Sequence, residues 1–131
     1  MRRARATAWA VLAALSVVGS GCELLILGTG AAVGAGAVVY LKGELKATKE
    51  ATLAKALAAT EGALKELKLA VTDRREQRTR IHLIARGEGD KRIEINLRKV
   101  SESLTEIGIR VGVLGDESLS RLILGKIEKR L

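Results

Sequence analysis

One cysteine, one histidine and a crowd of arginines are the residues with chemistry to offer in this 131-residue chain. Cys22 closes the segment Val18-Gly19-Ser20-Gly21-Cys22, behind the apolar residues 6–18, and is the only thiol present. A sole cysteine builds no internal disulfide framework, even in an oxidising compartment. Small residues leading to a thiol at the end of an apolar run suit a different chemistry. By the segment's resemblance to a bacterial lipoprotein site, the sulfur would take a diacylglyceryl group, the leader would be cut before Cys22, and the freed amine would take a further acyl chain such as palmitate. Two or three chains hold a protein firmly, at about 0.8 kcal/mol per buried methylene, where one would be marginal. The site resembles a bacterial lipobox, departing from it at Gly19, where a branched apolar residue is usual.

The remaining candidates are weaker. His82 alternates outward between Arg80 and Ile84, with no second histidine, free cysteine or carboxylate pair spaced to share a metal. A serine or cysteine nucleophile needs a base within hydrogen-bond reach, and no nucleophile motif accompanies His82. The glycines at 28, 30, 34 and 36 do not follow a strand, open no helix and lack a Gly-Lys-Ser/Thr, so they make no phosphate loop. No catalytic residue, cofactor or metal site is therefore expected. Arg74, Arg75, Arg78, Arg80, Arg86, Lys91, Arg92 and Arg98 form the one notable charge pattern. They could contact an anionic envelope component such as lipid headgroups, lipopolysaccharide or peptidoglycan carboxylates. The plainer reading, which we favour, pairs them across strands with Glu44, Glu76, Glu88, Glu94 and Glu106.

The elements that position these residues begin with a leader. Residues 1–21 carry three arginines, an apolar run and small residues, the three parts of a secretory signal. The run falls short of the roughly 20 residues that cross a bilayer. Arg2-Arg3 lacks the apolar continuation of a twin-arginine signal, so it reads as ordinary positive charge. Residues 24–41 are uncharged and contain four glycines. They fit either a second membrane segment pairing through Gly30 and Gly34 or an apolar tether on the bilayer surface. Glycines weaken a helix by about 1 kcal/mol each, and residues 38–41 belong to the first strand, so we take residues 22–37 as the lipidated cysteine plus tether.

Residues 38–131 read as the folded domain. Val39, Leu41, Leu45 and Ala47 alternate with polar residues and predict one half-buried strand. Thr48 or Thr52 caps a helix whose apolar stripe is Leu53, Ala56, Leu57, Thr60, Leu64 and Leu67. Leu69 and Val71 begin a short strand running into the polar residues 72–78. Three strands follow, with inward sets Ile81, Leu83, Ala85, then Ile93, Ile95, Leu97, then Ile107, Ile109, Val111, Val113. Asp116 caps a last helix burying Leu119, Leu122, Ile123 and Ile127. The expectation is an α+β fold of two layers, an antiparallel sheet of order β-α-β-β-β-β-α with both helices on one face.

Composition narrows the partners. Arg2, Arg3 and Arg5 would leave with the leader, taking the formal charge from +8 to +5, too mild and too mixed in sign for nucleic acid. There is no phenylalanine, and Trp9 lies in the leader, so Tyr40 is the only mature aromatic. The core must be aliphatic, and stacking platforms for bases or sugars cannot be built.

The succession Gly21-Cys22, the Gly/Ala-rich run, Tyr40-Leu41-Lys42-Gly43-Glu44-Leu45, Ile109-Arg110-Val111-Gly112, Gly115-Asp116-Glu117 and Ser120-Arg121-Leu122-Ile123 resembles DUF3568. This is a domain-of-unknown-function family of small bacterial lipoproteins that includes a Francisella surface lipoprotein. The resemblance covers nearly the whole chain and implies a lipid-anchored envelope protein with a compact α+β domain, and no catalytic residues. Gly19 departs from the pattern, as does Lys68, where a glycine often closes the first helix.

The sequence thus leads to a non-enzymatic bacterial cell-envelope lipoprotein, membrane-held through Cys22, with a binding or structural role. Glu23 is not the aspartate associated with inner-membrane retention in some bacteria, which favours the outer membrane. The alternative is a periplasmic carrier of an apolar or acyl ligand, its cleft lined by Leu53, Leu57, Ile95, Ile109 and Ile123.

Overall fold

Lys42 and Gly43 set the geometry of everything around them. In the computed structural model, which describes residues 36–131, both have positive φ (52° and 80°). They form a two-residue turn joining β1 (Val38–Leu41) to β2 (Glu44–Glu50), with Leu41 paired to Glu44. Positive φ at both turn positions gives the tight hairpin whose twist matches the flanking strands. The single strand expected over residues 39–47 is therefore two, and the turn reverses parity. Tyr40 and Leu45 face each other on the core side, while Val39 and Leu41 share the opposite side with Glu44.

Past Thr52, whose Oγ1 accepts from the Lys55 N–H at 3.2 Å, the chain enters α1 (Leu53–Glu66). Its buried face is Ala56, Ala59, Thr60, Ala63 and Leu64, so Ala56, Thr60 and Leu64 of the expected stripe lie inside, while Leu53, Leu57 and Leu67 pack at its flank. Alanines let the helix sit close on the sheet. The Thr60 hydroxyl is satisfied by donating to the Ala56 carbonyl at 2.7 Å. The helix stops at Lys68, held at φ 56°, with Leu69 N–H on the Leu64 carbonyl (2.9 Å) and Lys68 N–H on that of Lys65 (3.1 Å). That is the paired-bond helix stop usually given to glycine.

Four strands then run as a meander: β3 (Ala70–Glu76), β4 (Arg80–Arg86), β5 (Arg92–Lys99) and β6 (Leu104–Val111). β3 persists through the polar residues because it is an edge with little to bury, irregular between Val71 and Asp73. β6 ends at Val111, since Gly112 turns to φ 69°, so Val113 leaves the core and is 91% exposed. The last helix, α2 (Glu117–Glu128), buries Ser120, Ile123, Leu124 and Ile127; Leu119 is partly covered and Leu122 faces solvent.

The sheet has six strands in the order β1-β2-β6-β5-β4-β3, every neighbour antiparallel. The fold is α+β, with both helices over one face. Leu45, Leu83, Ile93, Ile95, Leu97, Ile107, Ile109, Ile123 and Ile127 fill the space between helices and sheet, each at most 1% exposed. Glu66 of α1 receives Lys126 Nζ (2.5 Å) and Arg130 Nη2 (2.7 Å), tying the helix ends together. No helix among the described residues is long and apolar enough to cross a membrane. Cys22, the leader of residues 1–21 and residues 22–35 of the tether lie outside the described residues.

Candidate functional site

The face of the sheet that no helix covers is polar, and its register lines up five residues from five strands. Lys46 pairs with Gly108, Gly108 with Asn96, Asn96 with His82 and His82 with Arg75. Asn96 is the centre of this row, and Gly108 stands beside it. Gly108 shapes the surface there. It lies in an ordinary strand conformation, and a Cβ there would come within 2.6 Å of Glu44 Oε1. Its missing side chain leaves a low floor. A depression of about 620 Å³ opens over it, and a second of about 730 Å³ adjoins, with Glu44 and Asn96 common to both.

His82 Nδ1 lies 2.6 Å from Asn96 Oδ1. An amide oxygen only accepts, so Nδ1 carries the proton and, in the neutral ring, Nε2 is left as an acceptor. Beside this pair Arg98 grips Glu106 with a two-pronged contact, Nε to Oε1 at 3.2 Å and Nη2 to Oε2 at 2.9 Å. The grip raises the guanidinium pKa above its ordinary value, chiefly by that hydrogen bond. No hydroxyl or thiol side chain lines either depression. Among the described residues no group of histidine, cysteine and carboxylates is placed to hold a metal.

The arginine cluster divides. Arg74 turns to the helix side and pairs with Glu61 and Glu76, which raises its pKa, Glu76 contributing most. Arg75 meets Asp73, Arg86 meets Asp90, Lys91 meets Asp116, Arg92 meets Glu94 and Arg98 meets Glu106. Arg78 and Arg80 have no carboxylate within 4 Å among the described residues. Arg80 lines the first depression beside Arg75 and His82, so that end of the trough carries spare positive charge. Exposed pairs of this kind are each worth about 0–1 kcal/mol. They cancel charge more than they stabilise the fold.

The five residues of the expected apolar cleft lie on the opposite side of the sheet. Ile95, Ile109 and Ile123 are completely buried in the helix–sheet core, and Leu53 and Leu57 pack against its margin. None of the five lines either depression.

A second constellation sits at the hairpin end of the sheet. Gly115 (φ 85°) abuts Gly43 and Tyr40 so closely that a Cβ on Gly115 would fall 2.5 Å from the Gly43 Cα and carbonyl oxygen and 2.6 Å from the Tyr40 hydroxyl. Arg110 Nη2 donates to the Lys42 carbonyl at 3.1 Å. Asp116 Oδ1 accepts from the Leu119 N–H at 3.0 Å, and that bond, with Lys91 beside it, holds the carboxyl pKa below its ordinary value. The model of a family described as protein of unknown function, DUF3568, matches residues 6–130.

The chain belongs to DUF3568. No curated protein matches it. In this DUF3568 domain the two glycine-bearing motifs, residues 40–45 and 109–117, are one structural feature. The hairpin turn and the loop into α2 press backbone to backbone, which only glycine allows. Sequence reasoning placed His82, Asn96, Gly108 and Arg80 on the outward side of their strands but singled out neither Gly108 nor Asn96. The available signal was a glycine inside an otherwise alternating strand, which marks a close approach or a gap.

Proposed function

We propose that this chain is a lipid-anchored bacterial cell-envelope protein, outer membrane favoured, whose domain acts by binding rather than by catalysis. Its binding surface is the helix-free face of the sheet. The observation that carries the reading is the trough over Gly108: a polar floor with Lys46, His82 and Asn96, and an end where Arg80 is left unneutralised. Such a surface suits an extended, polar, anionic envelope component. It offers hydrogen-bond donors and acceptors in a row and positive charge at one end. The carrier alternative needs an apolar hollow between helices and sheet, and that space is occupied by fully buried isoleucines and leucines. Support for the anchor comes from Cys22 with its leader and from the resemblance to lipoproteins.

Two experiments test this. Mass spectrometry of the mature amino terminus should find acylated Cys22, and Cys22→Ala should release the protein from membranes; a mature chain beginning elsewhere with a free thiol would sink the anchor. Photoreactive residues placed in intact cells at Asn96, on the trough floor, and at Val71, off it, should give different adducts. The Asn96 adduct should weaken with Arg80→Glu. Identical adducts from both positions, indifferent to Arg80, would refute the trough as the binding surface.

A further inference from the structure

The two edges of the sheet are built differently. β3 carries Asp73, Arg74, Arg75 and Glu76 and an irregular register, the charges and bulge with which edge strands avoid sticking. β1 carries none of these. Its four residues, Val38-Val39-Tyr40-Leu41, are uncharged, and Val38, Val39 and Leu41 are exposed, Leu41 to 64%. The exposed residues lie on both faces of the strand, Val38 toward the helix side and Val39 and Leu41 toward the trough side. At the turn end of the same edge stands the loop into α2, with Val113 and Leu114 each 91% exposed. Leu114 belongs to this corner because its carbonyl oxygen would lie 2.7 Å from a Cβ on Gly43. Five of the eight large exposed apolar residues in the described domain therefore gather along one edge and its corner. Scattered single residues are ordinary, whereas a gathered set marks a contact surface.

The occupant follows from where the chain leads. Only 13 residues separate Cys22 from Gly36, a reach of at most about 50 Å. Gly36 is itself fastened to β2, its N–H on the Thr48 carbonyl at 2.8 Å. The first strand is thus the part of the domain to which an anchor at Cys22 leads directly. We infer that β1 and the Val113–Leu114 loop lie against the lipid bilayer, strand axis roughly in the membrane plane. This inference rests on the lipid-anchor reading above.

The unpaired backbone groups of β1 remain at the hydrated headgroup level, since no unsatisfied N–H or C=O tolerates the hydrocarbon. The aliphatic side chains dip past them, as in other interfacial segments. Charge contributes little. The cations at this corner, Lys42, Lys46, Lys91, Arg92 and Arg110, exceed Glu44, Asp90, Glu94 and Asp116 by only one. The contact should therefore not require anionic lipid. A second copy pairing along β1 is the competing occupant, but a four-residue strand buries much less than the 1,200 Å² or so of a specific interface. With β1 on the membrane the sheet stands upright, and β3 lies about 24 Å further out, five strand spacings away.

The mature chain has no tryptophan once Trp9 leaves with the leader, so one introduced residue reports alone. Leu114→Trp and, as the control on the far edge, Val71→Trp are purified as the acylated protein. Each is reconstituted into phosphatidylethanolamine–phosphatidylglycerol vesicles with or without brominated acyl chains, and again into phosphatidylcholine alone. Emission of the 114 variant should shift to the blue and be quenched at least twofold by bromine in both lipids, and the 71 variant should do neither. Equal quenching of the two, or no quenching at 114 with Cys22 acylated, overturns the inference and leaves the anchor standing. A blue shift at 114 without bromine quenching, together with a crosslinked dimer, assigns the edge to a second copy and also overturns it. Intact mass is read on the same samples, and an unmodified Cys22 removes the anchor and the membrane assignment together.

Discussion

Replacing Gly115 by alanine tests the contact on which the hairpin end of the sheet depends. Gly112 and Gly115 both have positive φ, 69° and 85°, so alanine at either enters the left-handed region at a cost of about 1–2 kcal/mol. Gly112 has nothing within 4 Å of a new Cβ, and that conformational cost is all it incurs. At Gly115 the methyl also meets the Gly43 backbone at 2.5 Å and the Tyr40 hydroxyl at 2.6 Å. Backbone cannot swing aside as a side chain can, and overpacking of this kind adds about 1–3 kcal/mol. Gly115→Ala should therefore lose about 2–5 kcal/mol against about 1–2 for Gly112→Ala. At about 4–8 °C per kcal/mol for a domain of this size, the first should melt at least 8 °C lower than wild type. Gly108→Ala completes the set. Its new methyl crowds only the carboxylate end of the flexible Glu44 side chain and touches the Asn96 Cβ at an ordinary 3.7 Å, in a conformation alanine adopts freely, so the change should stay within about 1 kcal/mol of zero. Urea unfolding followed by circular dichroism, with unchanged m-values, measures all three. If Gly112→Ala and Gly115→Ala agree within about 0.5 kcal/mol, the backbone-to-backbone contact is not tight and the reasoning fails.

Lys68→Gly should stabilise the domain by about 1 kcal/mol, because Lys68 holds the left-handed helix stop at φ 56°; a loss in the same urea assay would contradict this. Hydrogen bonds from Lys126, then Arg130, hold the Glu66 pKa below its ordinary value, so the stabilisation is complete above the unfolded carboxylate pKa near 4.3. It drains away as pH falls through the lower folded value. Glu66→Gln should accordingly be less stable than wild type at pH 6, with the gap closing toward pH 2; a gap independent of pH would refute the assignment. Thr105→Val should cost about 1–3 kcal/mol, since the buried Thr105 hydroxyl donates to the Ala51 carbonyl at 2.9 Å, and a neutral result would show that carbonyl to be satisfied elsewhere.

The elements that bury one face in a regular period were legible from the sequence. β4 and β5 alternate apolar and polar residues, and the structure puts Ile81, Leu83, Ala85, Ile93, Ile95 and Leu97 inside as that alternation requires. The β1–β2 hairpin was not, because Leu41 and Leu45 keep the alternation of one strand while a two-residue turn between them flips the side each faces. Lys42-Gly43 also lacks the asparagine or aspartate that usually signals such a turn. β3 was legible only at its start, Leu69 and Val71; its continuation to Glu76 was not, since an edge strand whose charges are solvated has no apolar period to read. In α1 the stripe was read one flank too wide: Ala56, Thr60 and Leu64 are buried as expected, but Ala59 and Ala63 take the places nearest the sheet that Leu53 and Leu57 were given. The trough was half legible. Pattern alone puts His82, Asn96 and Arg80 on the outward side, but only the register brings Lys46, Gly108, Asn96, His82 and Arg75 into one row.

The position of β6 between β2 and β5 also dictates an order of assembly. β3, β4, β5 and β6 can close by successive neighbouring hairpins, each a local event. β2 has no partner on its inner side until residues 104–111 exist, although it precedes them by more than fifty residues. Long-range pairings of this kind are the slow ones. A chain delivered amino terminus first therefore presents β1, β2 and the small-residue face of α1 without a sheet to cover them until nearly all of it has emerged. The β1–β2 hairpin is the first part of the described domain to be made and the last to find its place.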